Sequence, residues 1–416
     1  MKVERLTLRN FRNVRESVFF PSPSLNFLVG SNGQGKTSFL EALGFLSTLQ
    51  SFRDSKAYQV VRWGVESAEL ACSLSADEIE TGNWQTQLRV HFQVTDPEKQ
   101  KASKTAFINQ KPYRSSTQYL SQRFGSFELG LHSIIFNPSD HDLVRGDPAT
   151  RRAFLNRVIS AEDIEYLKVL QKYQRALEQR NALLKTSDKI SSEVLFGFTE
   201  PLCKYGSILT LKRLEWIHRA EGVLNLIVQK IAPGQPELRM VHLSGWVPLF
   251  ENLSFNNNDL NSIHFSGQGV LPSLELLERA FWGKVSTLEA AERRTGHSLV
   301  GPHRDDWTFM LGKQTLRGHG SQGEVRSALL ALKLSEIELF RYKTKHRPLF
   351  LLDDFSSELD RDRRSFLLRF LMESDLQTFV TTTEDSSFIG KRFLVSNGVI
   401  EEGMHGDRRT DRVERG

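Results

Sequence analysis

The chain has 416 residues, of which 39% are hydrophobic and 25% are charged, and its formal net charge is +5. This composition excludes a disordered chain and allows two or three domains of roughly 100–200 residues each. The two cysteines, Cys72 and Cys203, are too few and too isolated for a disulfide framework or a thiolate zinc site. No segment approaches the roughly 18 apolar residues of a membrane span, and the charged N-terminus does not read as a signal peptide. We therefore expect a soluble, intracellular protein, whose weak basic excess is compatible with a polyanionic partner.

The first predicted elements are short strands. Leu6 and Leu8 alternate with polar residues, whereas Leu25–Val29 is a nearly unbroken apolar run. The second pattern is typical of a strand buried on both faces of a parallel sheet. A helical pattern, SFLEALGFLSTL, begins at residue 38. Residues 67–136 are rich in strand signals, including SIIF and a hairpin predicted from LRVHFQV and TAFINQ.

The pattern changes to helix near Pro148. Between residues 151 and 185, apolar side chains recur at helical spacing from Tyr166 to Leu177, which predicts one face of a long helix. Further helices are predicted over 194–231 and 273–294. These stretches are too short for an extended coiled coil and favour a packed bundle.

Strand signals return after Gly301, in PLFLLDD and QTFVTTT. Asn397-Gly398 predicts a terminal β-hairpin, and the charged tail after Met404 is expected to fray. The whole pattern predicts an α/β core, formed by residues 1–148 and 297–416, that is split by an inserted and mainly helical lobe over 149–296.

A phosphate-binding loop follows the predicted buried strand. Residues 30–37, GSNGQGKT, match G-x-x-x-x-G-K-[ST] at every fixed position. Glycines allow successive backbone N–H groups to turn toward phosphates, and the following helix directs the positive end of its dipole at the same anion. Lys36 is expected to reach the β- and γ-phosphates of ATP, and the Thr37 hydroxyl to coordinate Mg²⁺. The alternative, a glycine-rich turn before a helix, is disfavoured because both the strand and the helix are present.

The apolar run 349–352 ends in two acids, Asp353 and Asp354. A P-loop protein needs a carboxylate at a strand end to hold Mg²⁺, and Asp353 fits this role. Asp354 is expected to act as the base for the attacking water or to orient it. Taken alone, the same pattern would fit a buried strand followed by a polar turn.

The segment LLDDFSSELD resembles the joined Walker B and D-loop motifs of ABC ATPases. Gly320–Glu324, GSQGE, stands before an apolar helix in the position of their signature motif. The large separation between Lys36 and Asp353 is similar to that in SMC-like heads, which carry an insertion. Segments along the whole chain resemble the RecF family: LTLRNFRN, LQSFRDSK, DLVRGDPATRRAFLNRVIS, HSLVGPHRDDW and SQGEVRSALLALKLSEIELF.

The resemblance implies an ABC-type, SMC head-like ATPase core in which two protomers hold ATP between them. On this mapping, Lys36 and Asp354 are catalytic, and Thr37 and Asp353 bind the metal. The residues expected to contact nucleotide are Gly30, Ser31, Asn32, Gly33, Gln34, Gly35, Lys36, Thr37 and Arg12 from one protomer, with Ser321, Gln322 and Gly323 from the other. Arg53 is a further candidate, and for both arginines a solvated surface position is the alternative.

Some residues depart from the ABC pattern. Glu324 replaces the usual signature glutamine, Asp354 stands where most members have glutamate, and the strand ending at Thr381–Thr383 lacks the switch histidine of transporters. A shorter base and a missing histidine both predict slow hydrolysis. Asn137–Asp140 is the candidate Q-loop.

The function implied by the resemblance is ATP-gated dimerisation on DNA in replication and recombinational repair. The expected partners are gapped DNA, single-/double-strand junctions and single-stranded DNA, with RecR, RecO and RecA, in RecA loading and SOS induction at the nucleoid. Weak, DNA-stimulated ATP hydrolysis would time the cycle. The alternatives are an SMC-type chromosome-protein head and a transporter-coupled ABC ATPase. Candidate DNA contacts, for which plain solvation is the alternative, are Arg151, Arg152, Lys172, Arg175, Arg293 and Arg294.

Overall fold

The computed structural model describes residues 2–53, 55–75, 85–122, 130–186, 191–248, 263–266 (backbone only), 271–354, 359–383 and 389–403. The predicted frayed tail and residues 355–358 of the predicted D-loop lie outside this part of the chain. The chain forms two compact units. Unit 1 comprises Met1–Pro138 and Arg347–Gly416, and unit 2 comprises Ser139–His346.

Within the described residues, unit 1 contains two six-stranded sheets. Its strands are β1 (Lys2–Phe11), β2 (Val14–Phe19), β3 (Leu25–Val29), β4 (Ser67–Ser75), β5 (Gln85–Asp96), β6 (Lys101–Ile108), β7 (Lys111–Tyr113), β8 (Ser133–Phe136), β13 (Leu349–Leu352), β14 (Thr378–Thr382), β15 (Lys391–Ser396) and β16 (Val399–Glu402). One sheet has the order β2-β1-β4-β5-β6-β7 and is antiparallel. The other has the order β16-β15-β3-β14-β13-β8, and only β16 is antiparallel in it. The predicted β5–β6 and β15–β16 hairpins are confirmed.

The helices of unit 1 are α1 (Lys36–Thr48), α2 (Ala57–Val60), α3 (Ser116–Ser121) and α11 (Arg361–Glu373). Helix α1 contacts strands of both sheets and is buried on nearly every side. Its Phe39, Leu43 and Leu46 join one hydrophobic core with residues of the two sheets. A helix that is apolar all round is stable only when it is enclosed, so this packing fixes the N-terminus of α1 against the ends of the parallel strands.

Unit 2 is mainly helical. Its helices are α4 (Asp142–Arg145), α5 (Pro148–Glu162), α6 (Ile164–Thr186), α7 (Ser192–Ile231), α8 (Leu274–Thr295), α9 (Leu316–His319) and α10 (Gln322–Thr344). Its strands are β9 (Leu238–Ser244), β10 (Ile263–Ser266), β11 (Asp306–Leu311) and β12 (Gln314–Thr315), in the sheet order β10-β9-β11-β12. The predicted helices are present, but the first is divided at Asp163, whose Oδ1 accepts from the N–H groups of Glu165 and Tyr166 and so caps α6.

The division of the chain differs from the expected boundaries of 148/149 and 296/297. Residues 297–346, expected in the ATPase core, belong to unit 2. Strand β11 pairs with β9 along Leu238–Leu243, and α10 packs against α7. The partners β9 and α7 are distant in sequence from β11 and α10. The strand pattern near residue 306 therefore could not show which sheet the strand joins. Among the described residues, no helix combines the length and apolar character needed to cross a bilayer.

Candidate nucleotide-binding site

The predicted phosphate-binding loop connects β3 to α1. Gly35 precedes α1 with φ +105°, and a Cβ there would lie 2.8 Å from the Asn13 side chain. A Cβ on Gly30 would lie only 2.3 Å from the carbonyl oxygen of Val395. Glycine is therefore required at Gly35 by backbone conformation and at Gly30 by close approach to β15.

Lys36 begins α1 and turns back over the loop. Its Nζ donates hydrogen bonds to the carbonyl oxygens of Gly30 and Ser31, at 2.6 and 2.9 Å. Burial lowers the pKa of Lys36, and the nearby carboxylates of Asp354 and Asp353 oppose this effect. A polyphosphate in the loop would add negative charge and further stabilise the ammonium form.

Asp353 lies at the end of β13, beside α1 and β14. Its Oδ1 accepts hydrogen bonds from the hydroxyls of Thr37, at 2.9 Å, and Thr381, at 2.8 Å. Burial raises the pKa of Asp353, and the two hydroxyl donors oppose that rise. The expected metal-binding pair, Thr37 and Asp353, is therefore in direct contact. Hydroxyl and carboxylate oxygens are ligands that Mg²⁺ accepts, so these residues fit the implied ion.

Asp354 follows in the left-handed region, with φ 54°. Its N–H donates to Thr381 Oγ1 at 2.8 Å. Aspartate tolerates this conformation better than most residues do. The hydroxyl of Thr381, on the neighbouring parallel strand, therefore forms hydrogen bonds with both residues: it donates to the Asp353 carboxylate and accepts from the Asp354 N–H.

The loop is braced by segments distant in sequence. The Asn397 N–H donates to Gln34 Oε1 at 2.7 Å, and the Gly398 N–H donates to the Gln34 carbonyl oxygen at 2.8 Å. Ser38 Oγ, in the first turn of α1, donates to Asn13 Oδ1 at 3.0 Å. The turn of the β15–β16 hairpin thus holds Gln34 through both its backbone and its side chain.

Arg12 is held by an ion pair with Glu41, whose side chain is fully buried on α1. Arg12 Nε and Nη2 donate to the two Glu41 oxygens at 2.9 and 2.5 Å, and Ser51 Oγ donates to the same carboxylate at 2.5 Å. Arg53 lies 3.7 Å from Glu41 Oε2 and is 48% exposed. Arg12 thus has a structural partner, while Arg53 keeps much of its guanidinium in solvent.

These elements surround a pocket of about 730 Å³, within the usual range for ligand sites. All its lining residues belong to unit 1: Arg12, Asn13, Asn32, Gly33, Gly35, Lys36, Thr37, Ser38, Arg53, Tyr58, Gln59, Val61, Trp63, Gln100, Pro138, Asp353, Asp354 and Thr381. The structure therefore brings together the expected catalytic and metal-binding residues with both candidate arginines.

The expected signature residues lie in unit 2, at the N-terminus of α10. Ser321 caps this helix, and Gln322 and Gly323 form its first turn. The Ser321 N–H and hydroxyl both donate to Glu324 Oε2, at 2.7 and 2.8 Å, while the Glu324 N–H donates to Ser321 Oγ. This reciprocal capping box gives the unusual Glu324 a structural role.

The candidate Q-loop, Asn137–Asp140, follows β8, which pairs with β13. Pro138 lines the pocket, and Asn137 is buried. Asp140, the second residue of unit 2, forms a 2.7 Å ion pair with Lys333 of α10.

Three of the six candidate DNA contacts, Arg151, Arg152 and Arg293, donate hydrogen bonds to carboxylate or carbonyl oxygens of the chain. Arg151 is 1% exposed and donates through Nε and Nη2 to the two oxygens of Asp306, both at 2.7 Å, so the expectation that it contacts DNA is wrong. Arg152 donates to the Asp305 carbonyl oxygen, and Arg293 pairs with Glu289. The other three candidates, Lys172, Arg175 and Arg294, are exposed.

Sequence reasoning missed several residues that complete the site. Thr381 stands near the end of a buried strand, and this position was itself a signal for a site residue even though the transporter histidine is missing there. Asn13, Glu41 and Asn397 carry no motif of their own, and their contacts with the loop and with α1 are visible only in the fold.

Comparisons with known proteins agree with this architecture. The sequence profile described as RecF/RecN/SMC N terminal domain matches residues 2–400. The DNA replication and repair protein RecF of Geotalea uraniireducens (strain Rf4) is 33% identical over 406 residues, covering 96% of this chain and 100% of that protein. The protein of the same name from Listeria monocytogenes serotype 4b (strain F2365) is 33% identical over 390 residues, covering 93% and 94%.

Solved structures show the same fold. The recombination mediator protein RecF-ATP of the RecFOR pathway superposes with a TM-score of 0.80 and 26% identity, covering 97% of this chain and 98% of that one. The Smc head domain of Pyrococcus furiosus superposes with a TM-score of 0.53 and 15% identity, which shows similarity of fold alone. The expected ABC-type, SMC head-like α/β core with an inserted helical lobe is confirmed. Because the match in sequence and in fold extends over nearly the whole chain, the protein belongs to the RecF family.

Proposed function

We propose that this protein is an ATP-dependent DNA-binding protein of replication and recombinational repair. Two protomers would close on gapped or single-stranded DNA when ATP is bound and reopen after slow hydrolysis. Support comes from the relatives named DNA replication and repair protein RecF and from the structural neighbour described as RecF-ATP.

The observation that carries the proposal is the convergence of Lys36, Thr37, Asp353 and Asp354 around one pocket. The loop N–H groups and Lys36 would bind the phosphates. Thr37 and Asp353 would hold Mg²⁺, which would neutralise phosphate charge. Asp354 would orient the attacking water, and as an aspartate it reaches less far than a glutamate, which favours slow turnover.

The trans contact explains how nucleotide would control assembly. The pocket residues all belong to unit 1, whereas Ser321 begins α10 in unit 2. The exposed N-terminus of a 23-residue helix attracts anions through its free N–H groups and its dipole. In a dimer, Ser321, Gln322 and Gly323 of one protomer would bind the γ-phosphate held by the other, and hydrolysis would remove this charge.

DNA binding would depend on basic side chains that the fold leaves available. Lys172 and Arg175 on α6 and Arg294 near the end of α8 are exposed, and they remain candidates for phosphate contacts. Such contacts read no base sequence, so binding should weaken with salt and respond to DNA structure. We extend the proposal to RecO, RecR and RecA as partners, to SOS induction and to action in the cytoplasm at the nucleoid.

The test is the oligomeric state of the full chain, measured by sedimentation velocity with and without ATP, on gapped and on fully duplex DNA. The parent should dimerise with ATP, and gapped DNA should stimulate hydrolysis. Ser321→Arg should keep ATP binding but weaken dimerisation at least about tenfold, because the larger side chain removes the hydroxyl donor and would fill the space that the γ-phosphate needs at this helix N-terminus.

Ser286→Arg is the matched control, since it adds the same side chain at an exposed position on α8. Lys36→Ala should lose ATP binding and with it the dimer. A parent that stays monomeric with ATP at every concentration, or a Ser321→Arg variant that dimerises as tightly as the parent, would refute the trans arrangement. If the protein does not bind DNA, the alternative interpretation as a transporter-coupled ATPase would be favoured instead.

A further inference from the structure

Trp63 has the largest exposed fraction, 90%, among the large hydrophobic side chains that the structure describes. A single exposed apolar residue needs no explanation by itself. Trp63, however, lines the same pocket as Lys36 and Asp353. An indole in that position offers a large flat π surface that the protein itself leaves uncovered.

The backbone around Trp63 is held in place. The Arg62 N–H donates to the Asn10 carbonyl oxygen at 2.8 Å, and the Arg12 N–H donates to the Val60 carbonyl oxygen at 2.8 Å. Val61 forms an isolated antiparallel bridge with Phe11, at the end of β1. The segment is thus fixed next to Arg12, so the exposed ring is presented from an ordered position.

The pocket combines two kinds of lining. The loop before α1 and the ends of β13 and β14 supply a lysine, hydroxyls and carboxylates, which suit phosphates and a cation. Helix α2 and the residues after it supply Tyr58, Val61 and Trp63, which suit a flat apolar group. A nucleoside triphosphate contains both parts, an anionic chain and a π-stacking base.

We propose that Trp63 is the platform on which the nucleobase of the bound triphosphate stacks. This inference rests on the proposed nucleotide binding and adds a residue that determines affinity for the base rather than for the phosphates. Stacking uses the face of the base and leaves its hydrogen-bonding edge free.

The test compares MgATP with inorganic tripolyphosphate plus Mg²⁺, by calorimetry on the full chain. Base stacking on an aromatic ring is worth enough that Trp63→Ala should weaken ATP binding by about 5- to 150-fold. Binding of tripolyphosphate, which has no base, should be unchanged. Trp63→Phe keeps a ring and should retain most of the affinity for ATP.

Fluorescence gives a second readout, because a stacked base quenches indole emission. ATP should quench the parent and a Trp282→Phe control, whose replaced residue stacks on Phe196 in unit 2, but not Trp63→Ala. Unchanged ATP affinity in Trp63→Ala, or equal losses for ATP and tripolyphosphate, would overturn the stacking role. A parent that binds neither ligand would overturn the proposed nucleotide function itself.

Discussion

Replacing Glu324 by glutamine should make ATP-dependent dimerisation tighter. In the protomer, the Glu324 carboxylate accepts from the Ser321 N–H and from its hydroxyl, at 2.7 and 2.8 Å. These two donors are the groups that would bind a γ-phosphate in trans. In the proposed dimer, the carboxylate would therefore compete with the incoming phosphate for these donors and would also repel it.

The magnitude follows from the two hydrogen bonds. A hydrogen bond to a charged group contributes roughly 1.5–3 kcal/mol, against roughly 0.5–1.5 kcal/mol for a neutral one. Releasing both Ser321 donors from a glutamine should thus cost about 2 kcal/mol less than releasing them from the glutamate. This difference corresponds to about 30-fold tighter binding of the γ-phosphate at each signature segment. Glutamine also fits a capping box, so α10 should still form. The weaker capping hydrogen bonds and the loss of negative charge near the helix N-terminus should together lower the stability of the protomer by roughly 2–3 kcal/mol.

The assay is the dimer dissociation constant at saturating ATP, measured by sedimentation together with thermal unfolding. Glu324→Gln should tighten the dimer while lowering the melting temperature of the protomer, a combination that general stabilisation would not produce. Glu338→Gln removes the same charge from a partly exposed i,i+3 pair with Arg341 on the same helix and should change neither quantity much. A Glu324→Gln dimer that is equally strong or weaker would refute the competition between carboxylate and phosphate.

Two further predictions concern the stability of unit 2. Arg180→Met should lower the free energy of unfolding by about 3–5 kcal/mol in urea titrations, because it leaves the fully buried Glu292 without its partner at 2.7 Å. The double variant Arg180→Met with Glu292→Met should recover most of this loss. A double variant as unstable as the single one would contradict the prediction. Burial raises the pKa of Glu221 to about 7 from 4.5, so between these pH values the folded protein keeps a proton that the unfolded chain releases, and stability falls as pH rises. Glu221→Gln should remove this decline, so that at pH 8 its free energy of unfolding exceeds that of the parent by up to roughly 3 kcal/mol. The difference should vanish near pH 4.5. An equal difference at both pH values would contradict the prediction.

Short contiguous motifs made the centre of the site predictable. The residues of the phosphate-binding loop are contiguous and form a single backbone turn, so their identity and spacing are enough to predict where the phosphate site lies. The position of Asp353 and Asp354 at a strand end was predictable, because charged side chains are not expected within a strand that is buried on both faces.

Partners that are distant in sequence were not predictable. The β15–β16 hairpin was expected from Asn397-Gly398, but its two hydrogen bonds to Gln34 depend on how β15 pairs with β3. Arg151 looked like an exposed cation because its partner, Asp306, lies 155 residues away. Charge patterns along a helix do not reveal such pairs.

The strand order around β3 has a consequence for biosynthesis. Both hydrogen-bonded neighbours of β3, which are β14 and β15, are translated long after the loop that follows it. A nascent chain that has only reached unit 2 has therefore no parallel partners for the strand that carries the P-loop. The P-loop strand can therefore complete its parallel pairing, and the loop its contacts with Asn397 and Gly398, only after these late segments have been synthesised.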